Sequence, residues 1–240
     1  GFDSSFIIPA SLDFPPYVYF RDGQATTTET VLQTSQPFPP FMRKGPRAAD
    51  FDMQGCLDRL TDEAVDVISK MKTLDQPTFL YFPLTAPHKP VLPAKEFAGT
   101  TKLGPYGDFL RQVDATVGRV LEALEANGVM DNTIVIVTSD NGSFMYRYDD
   151  DRPDHVDDGG VQGYRSNHHT ANANWRGTKA DVWEAGHRVP FFVRLPGAAH
   201  AGARVDHVVG LVDVMATLCE RLEVKRPADA GPYSVSFASL

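Results

Sequence analysis

Asp140 and Asn141 stand where the apolar run Thr133-Ile134-Val135-Ile136-Val137 gives way to Thr138-Ser139-Asp140-Asn141-Gly142. A β-branched run bounded by Asn127-Gly128 and Asn141-Gly142 reads as a central strand, and open α/β sheets hold ligands at the carboxyl ends of such strands. A carboxylate and an amide carbonyl placed there are oxygen donors suited to a metal ion. Asp-Asn-Gly equally suits an Asx turn, so this segment alone leaves both readings open.

Further segments carry candidate side chains. Residues 78–83, Thr-Phe-Leu-Tyr-Phe-Pro, predict another strand, and His88 follows in Ala86-Pro87-His88-Lys89-Pro90, where prolines restrict the backbone on either side. Lys179 lies in the loop that begins at Gly177, within the stretch from Asn174 to Pro190, which leads into a strand at 191–195. A lone loop His or Lys is more often a solvated surface group, so none of these segments carries a function alone.

The elements that must position these residues alternate between helix and strand. Thr61 is a suitable N-cap for a helix running to about Lys72, with Ala64, Val67, Ile68 and Met71 on one face. A longer helix begins at Pro105, carries Tyr106, Phe109, Leu110, Val113, Val117, Val120, Leu121 and Leu124 at helical spacing, and stops at Asn127-Gly128. Strands at 133–138 and 190–195 and a helix at about 212–222 follow. The alternation predicts an α/β fold with a largely parallel sheet flanked by helices on both faces.

Two stretches break this pattern. Residues 15–50 are rich in Pro and Thr and read as an extended surface excursion able to shape a substrate rim. The loop at 143–174 carries Asp149-Asp150-Asp151, Asp157-Asp158, His155, His168 and His169. Its acidic run reads as solvated or as a second cation site, and His168, near Lys179 in sequence, as a substrate contact or a polar turn.

Taken in order, these segments resemble the type I sulfatases, the arylsulfatase branch of the alkaline phosphatase superfamily. The resemblance rests on Gly1-Phe2-Asp3 with Pro9-Ala10-Ser11-Leu12-Asp13, on Ala86 to Pro90, on Gly104-Pro105-Tyr106-Gly107-Asp108 through Asp140-Asn141-Gly142, and on Trp175 to Pro190. It implies an alkaline-phosphatase-like fold and a sulfuric ester hydrolase, with Asp140 and Asn141 binding calcium and His88 and Lys179 acting on the sulfate and its bridging oxygen. Ser11 falls where some members place a sulfate-contacting serine. The implied substrate is a sulfated small molecule or carbohydrate, and the implied compartment is the periplasm or the exterior.

The formylglycine-forming Cys-x-Pro-x-Arg or Ser-x-Pro-x-Arg signature of that family, and the Asp-Asp pair that completes its calcium site, find no match. Cys56, in Gly55-Cys56-Leu57-Asp58-Arg59, lacks the proline, and so does Ser143-Phe144-Met145-Tyr146-Arg147. The resemblance places both features upstream of Gly1, so residues 1–240 read as the central and C-terminal part of a catalytic domain. A phosphodiesterase or phosphonate hydrolase of the same superfamily, and a catalytically incomplete fragment, stand as alternatives.

Composition narrows the partners. A formal net charge of −8 argues against a surface that tracks nucleic-acid phosphates. Cys56 and Cys219 are expected to be free thiols, with Cys219 on a core-facing helix side. No apolar run reaches the roughly 18 residues of a membrane-spanning helix.

Overall fold

The computed structural model describes residues 1–37, 41–147, 163–164 and 169–239. The excursion at 15–50 folds into short antiparallel pairings: β1 (Phe6–Ile7), β2 (Phe20–Arg21) and β3 (Gln24–Ala25) form one small sheet, β4 (Thr30–Gln33) and β5 (Gly45–Ala48) another. It does more than cross the surface, because Tyr17, Val18, Tyr19, Met42 and Ala48 are buried in one core cluster with Phe51 and Cys56. The Tyr19 and Phe51 rings lie 4.4 Å apart. The prolines and threonines interspersed through the excursion mask this aromatic core in the sequence.

Helix α1 (Cys56–Met71) has its N-cap at Gly55, six residues before the cap signal at Thr61. Cys56, Leu57, Leu60, Ala64 and Ile68 extend the buried stripe towards the N-terminus, and that burial outweighs the cap preference. Thr61, fully buried inside the helix, donates its hydroxyl to the Leu57 carbonyl at 2.7 Å instead. Helix α2 (Gly104–Ala126) packs on α1 and ends as predicted, at Asn127 with Gly128 in the left-handed region at φ 67°. Arg119 of α2 pairs with Asp58 and Asp62 of α1.

Residues 78–83 do not form the predicted strand, since they pair with no strand among the described residues. Their side chains nevertheless alternate. Leu80 and Phe82 pack on core clusters, while Phe79 and Tyr81 are 67% and 66% exposed. Period-two alternation is legible in a sequence, whereas a ladder also needs a partner strand that the alternation does not specify.

Strand β6 (Val135–Thr138) is followed by β7 (Tyr146–Arg147) and β8 (Gly163–Tyr164), which pair in parallel, and by the short helix α3 (Glu184–His187). Strand β9 (Phe191–Arg194) then pairs with β6 antiparallel, in a register that sets Thr138 opposite Phe191. The helix–strand alternation predicts parallel neighbours. Here the segment between β6 and β9 returns to the carboxyl end of β6 without crossing to the other end, so β9 runs back beside it. Helix α4 (Asp213–Arg221) closes the described fold; Cys56 and Cys219 are free, the first buried and the second half-buried. Among the described residues no helix is long and apolar enough to cross a membrane.

Candidate active site

The turn after β6 delivers Asp140, exposed, and Asn141, half-buried. Backbone bonds fasten it to the loop of Lys179: Gly142 N–H donates to the Gly186 carbonyl at 3.0 Å, and Lys179 N–H donates to the Ser143 carbonyl at 2.9 Å. The approach is close enough that a Cβ on Gly142 would lie 1.6 Å from the Ala185 carbonyl oxygen, and one on Gly186 2.1 Å from that of Asp181. Only glycine permits this contact. Asn172 holds the other side of the turn, accepting from Ser143 N–H at 2.9 Å and donating to the Ser143 carbonyl at 3.1 Å.

The next residue, Phe144, joins this turn to His88. Its ring centroid lies 6.5 Å from that of His88 and 5.8 Å, edge-on, from that of Tyr106 at the start of α2. Tyr106 and Ser143 share a hydroxyl hydrogen bond of 3.0 Å. The segments bearing Asp140, Asn141, Lys179 and His88 therefore meet around residues 142–145. Lys179 is half-buried, and its amine has no hydrogen-bond or ion-pair partner among the described residues.

His88 Nδ1 lies 2.6 Å from the Lys89 carbonyl, which can only accept, so Nδ1 carries a proton and Nε2 is the nitrogen left for other partners. On its other side stands Asp13, which sequence reasoning left without a role. Its carboxylate is 1% exposed, accepts the Ser11 hydroxyl, and lies 3.9 Å from His88 Nδ1 and 3.7 Å from Arg43. Ser11 itself is exposed at the edge of this cluster. The Tyr17 hydroxyl donates to the Arg43 carbonyl at 2.7 Å and accepts from Arg43 N–H at 3.0 Å, fixing the excursion against Asp13. Burial raises the pKa of that phenol and so keeps it a donor. The only signal in the sequence was an acid two residues after a serine.

His168 and the acidic run at 149–158 lie outside the described residues. Among the described residues, no three His, Cys, Asp or Glu side chains gather to hold a metal ion. Asp140 and Asn141 fit calcium in kind, as oxygen donors whose side chains no other described group occupies, but a calcium ion takes roughly six to eight oxygens. Neither nucleophile look-alike is poised for attack. Cys56 is fully buried with its thiol pushed up to about 11 by that burial, and the Ser143 hydroxyl is engaged by Tyr106 and Met145 N–H.

A family model described as Sulfatase matches residues 1–224. An N-acetylgalactosamine-6-O-sulfatase of Bacteroides thetaiotaomicron is 30% identical over 98% of this chain and 50% of its own length. A steryl-sulfatase of Rattus norvegicus is 34% identical over 74% of this chain and 28% of its own. A solved structure from work on glycosaminoglycan metabolism by Bacteroides thetaiotaomicron superposes with a TM-score of 0.80 at 27% identity, covering 100% of this chain and 54% of that one. A Pseudoalteromonas sulfatase superposes with a TM-score of 0.57 at 27% identity, over 72% of this chain and 31% of its own. The chain thus spans about half or less of these relatives, and its mixed sheets and helices are part of their alkaline-phosphatase-like α/β fold. With the match running through residues 1–224, from the Ser11 loop past the Lys179 loop, the chain belongs to the sulfatase family.

Proposed function

We propose that this chain supplies the leaving-group side and part of the metal site of a hydrolase acting on a sulfuric ester of a carbohydrate, as the central and C-terminal part of its catalytic domain. The observation that supports the reading is the junction at 142–145, where the loop that carries Lys179 and the turn that carries His88 meet the turn that carries Asp140 and Asn141. Relatives named as sulfatases favour this over a phosphodiesterase or phosphonate hydrolase.

Hydrolysis breaks the bond between sulfur and the bridging oxygen, adds water, and leaves an alkoxide that must gain a proton. Lys179 neutralises charge on the sulfate oxygens. His88 donates from Nε2 in its charged form and retains the Nδ1 proton that the Lys89 carbonyl holds. Ser11, at the edge, turns its hydroxyl from Asp13 to a sulfate oxygen, and His168 is a further substrate contact. Calcium, for which Asp140 and Asn141 would be two of the ligands, and a formylglycine supplied from outside this chain bring the electrophilic charge and the nucleophile. Loops 15–50 and 143–174 frame the substrate, and the periplasm or the exterior is the compartment.

The test is turnover of an aryl sulfate by the full-length protein with calcium. Lys179→Ala and His88→Ala are each expected to lower kcat by about 100-fold or more, the usual share of a charge stabiliser or a proton donor. Near-normal turnover in both removes the assignment.

A further inference from the structure

Arg43 of the excursion at 15–50 and Lys89 of the His88 turn bring a pair of cations to the edge of the Asp13 cluster, and both stack against the Phe41 ring. Lys89 Nζ lies 3.8 Å from the centroid of Phe41, while the Arg43 guanidinium lies 5.7 Å from that centroid and 4.0 Å from that of Phe14. Lys89 has no acidic partner among the described residues, and Arg43 has only the buried Asp13, at 3.7 Å. The edge therefore carries excess positive charge on a chain of formal net charge −8. Gathering like charges on one ring is unfavourable by itself, and an arriving anion relieves it.

We propose that Arg43 and Lys89 form a second anion subsite beside the reacting sulfate, selecting saccharides that carry a further carboxylate or sulfate near the ester to be cleaved. The planar guanidinium matches either group through paired N–H donors, and Lys89 adds a point charge. Phe14, 45% exposed, leaves an apolar face for the C–H side of a sugar ring. Arg43 and His88 both face the Asp13 carboxylate, at 3.7 and 3.9 Å, so a group held by Arg43 lies near the proton donor. The subsite rests on the sulfatase reading for its neighbour, but its own ligand is separable from it.

Fluorescence anisotropy on the full-length protein tests this with labelled hexasaccharides of chondroitin 6-sulfate, of desulfated chondroitin and of carboxyl-reduced chondroitin 6-sulfate. Lys89→Gln and Arg43→Gln are each expected to weaken the doubly anionic probe by about fivefold to tenfold and to flatten its salt dependence. Arg204→Gln, which removes an exposed cation paired with Asp206, should not. Lys89→Gln keeps the test independent of folding, since it breaks no ion pair among the described residues and gives up the stacking on Phe41. A larger loss on the desulfated probe assigns the subsite to carboxylate, and a larger loss on the carboxyl-reduced probe assigns it to sulfate. Wild-type binding of all probes by Lys89→Gln overturns the proposal and leaves the sulfatase reading standing. Lys89-dependent binding by a protein that cleaves no sulfate ester keeps the subsite and removes that reading.

Discussion

The carboxylate of Asp13 stands 3.9 Å from Nδ1 of His88, too far for a hydrogen bond and close enough to act through its charge. Because Asp13 is almost fully buried and also holds Ser11 and Arg43, a single acid ties the serine, the imidazole and the excursion together. At about 4 Å a unit charge is worth roughly 1–4 kcal/mol between bulk-water and near-surface dielectrics. Asp13→Asn keeps the shape and removes the charge. It should lower kcat on an aryl sulfate by about tenfold or more, since 1.36 kcal/mol is tenfold in rate. Unchanged kcat in steady-state assays would show that Asp13 serves packing alone.

The contact between the Asp140 turn and the Lys179 loop depends on Gly142. Alanine there would set its Cβ 1.6 Å from the Ala185 carbonyl oxygen, an overlap that only backbone displacement relieves. Gly142→Ala should destabilise the protein by about 2 kcal/mol or more in urea unfolding and depress activity with it. Gly118, inside α2, has nothing within 4 Å of its Cβ position, so Gly118→Ala should stabilise by about 0.5–1 kcal/mol. Equal effects at the two glycines would contradict the packing described.

Much of this geometry was legible in the sequence where local chemistry decides it. The stop at Asn127-Gly128 needs only a left-handed residue, and the β6 run needs only its β-branched side chains. Thr61 misled because its cap preference lost to the buried stripe of α1. Residues 78–83 carry the alternation of a strand, but pairing is a property of a distant partner. The site divides the same way. Asp140, Asn141, His88 and Lys179 sit in marked turns, whereas Asp13 and Arg43 matter through contacts 75 and 30 residues apart in sequence, which no local pattern encodes.

Cys56 lies against Tyr19 in the first core cluster, with its thiol pushed up to about 11 mainly by burial. A thiol raised this far is neutral and unreactive at ordinary pH. Titration of the native protein with a disulfide reagent at pH 8 should modify Cys219 rapidly and Cys56 only on unfolding. The sign of the linkage is set by the raised folded value: its contribution is complete below the unfolded thiol range of about 8.5 and is lost as pH rises through about 11. Rapid labelling of both thiols in the folded state would refute the burial.

Burial alone would push the Asp108 carboxyl up, yet backbone N–H donors from Gly99 and Thr101, each at 2.8 Å, outweigh it and hold the group below its ordinary value. This carboxylate fastens the 99–101 loop to the first turns of α2, beside Tyr106. A depressed folded value means the stabilisation is present above the unfolded carboxylate range and is lost as pH falls through the folded value. Asp108→Asn should therefore be less stable than wild type at pH 7, and the gap should narrow steadily as urea unfolding is repeated from pH 5 downwards. A gap of constant size across that range would mean that the ionised carboxylate contributes nothing to holding the loop.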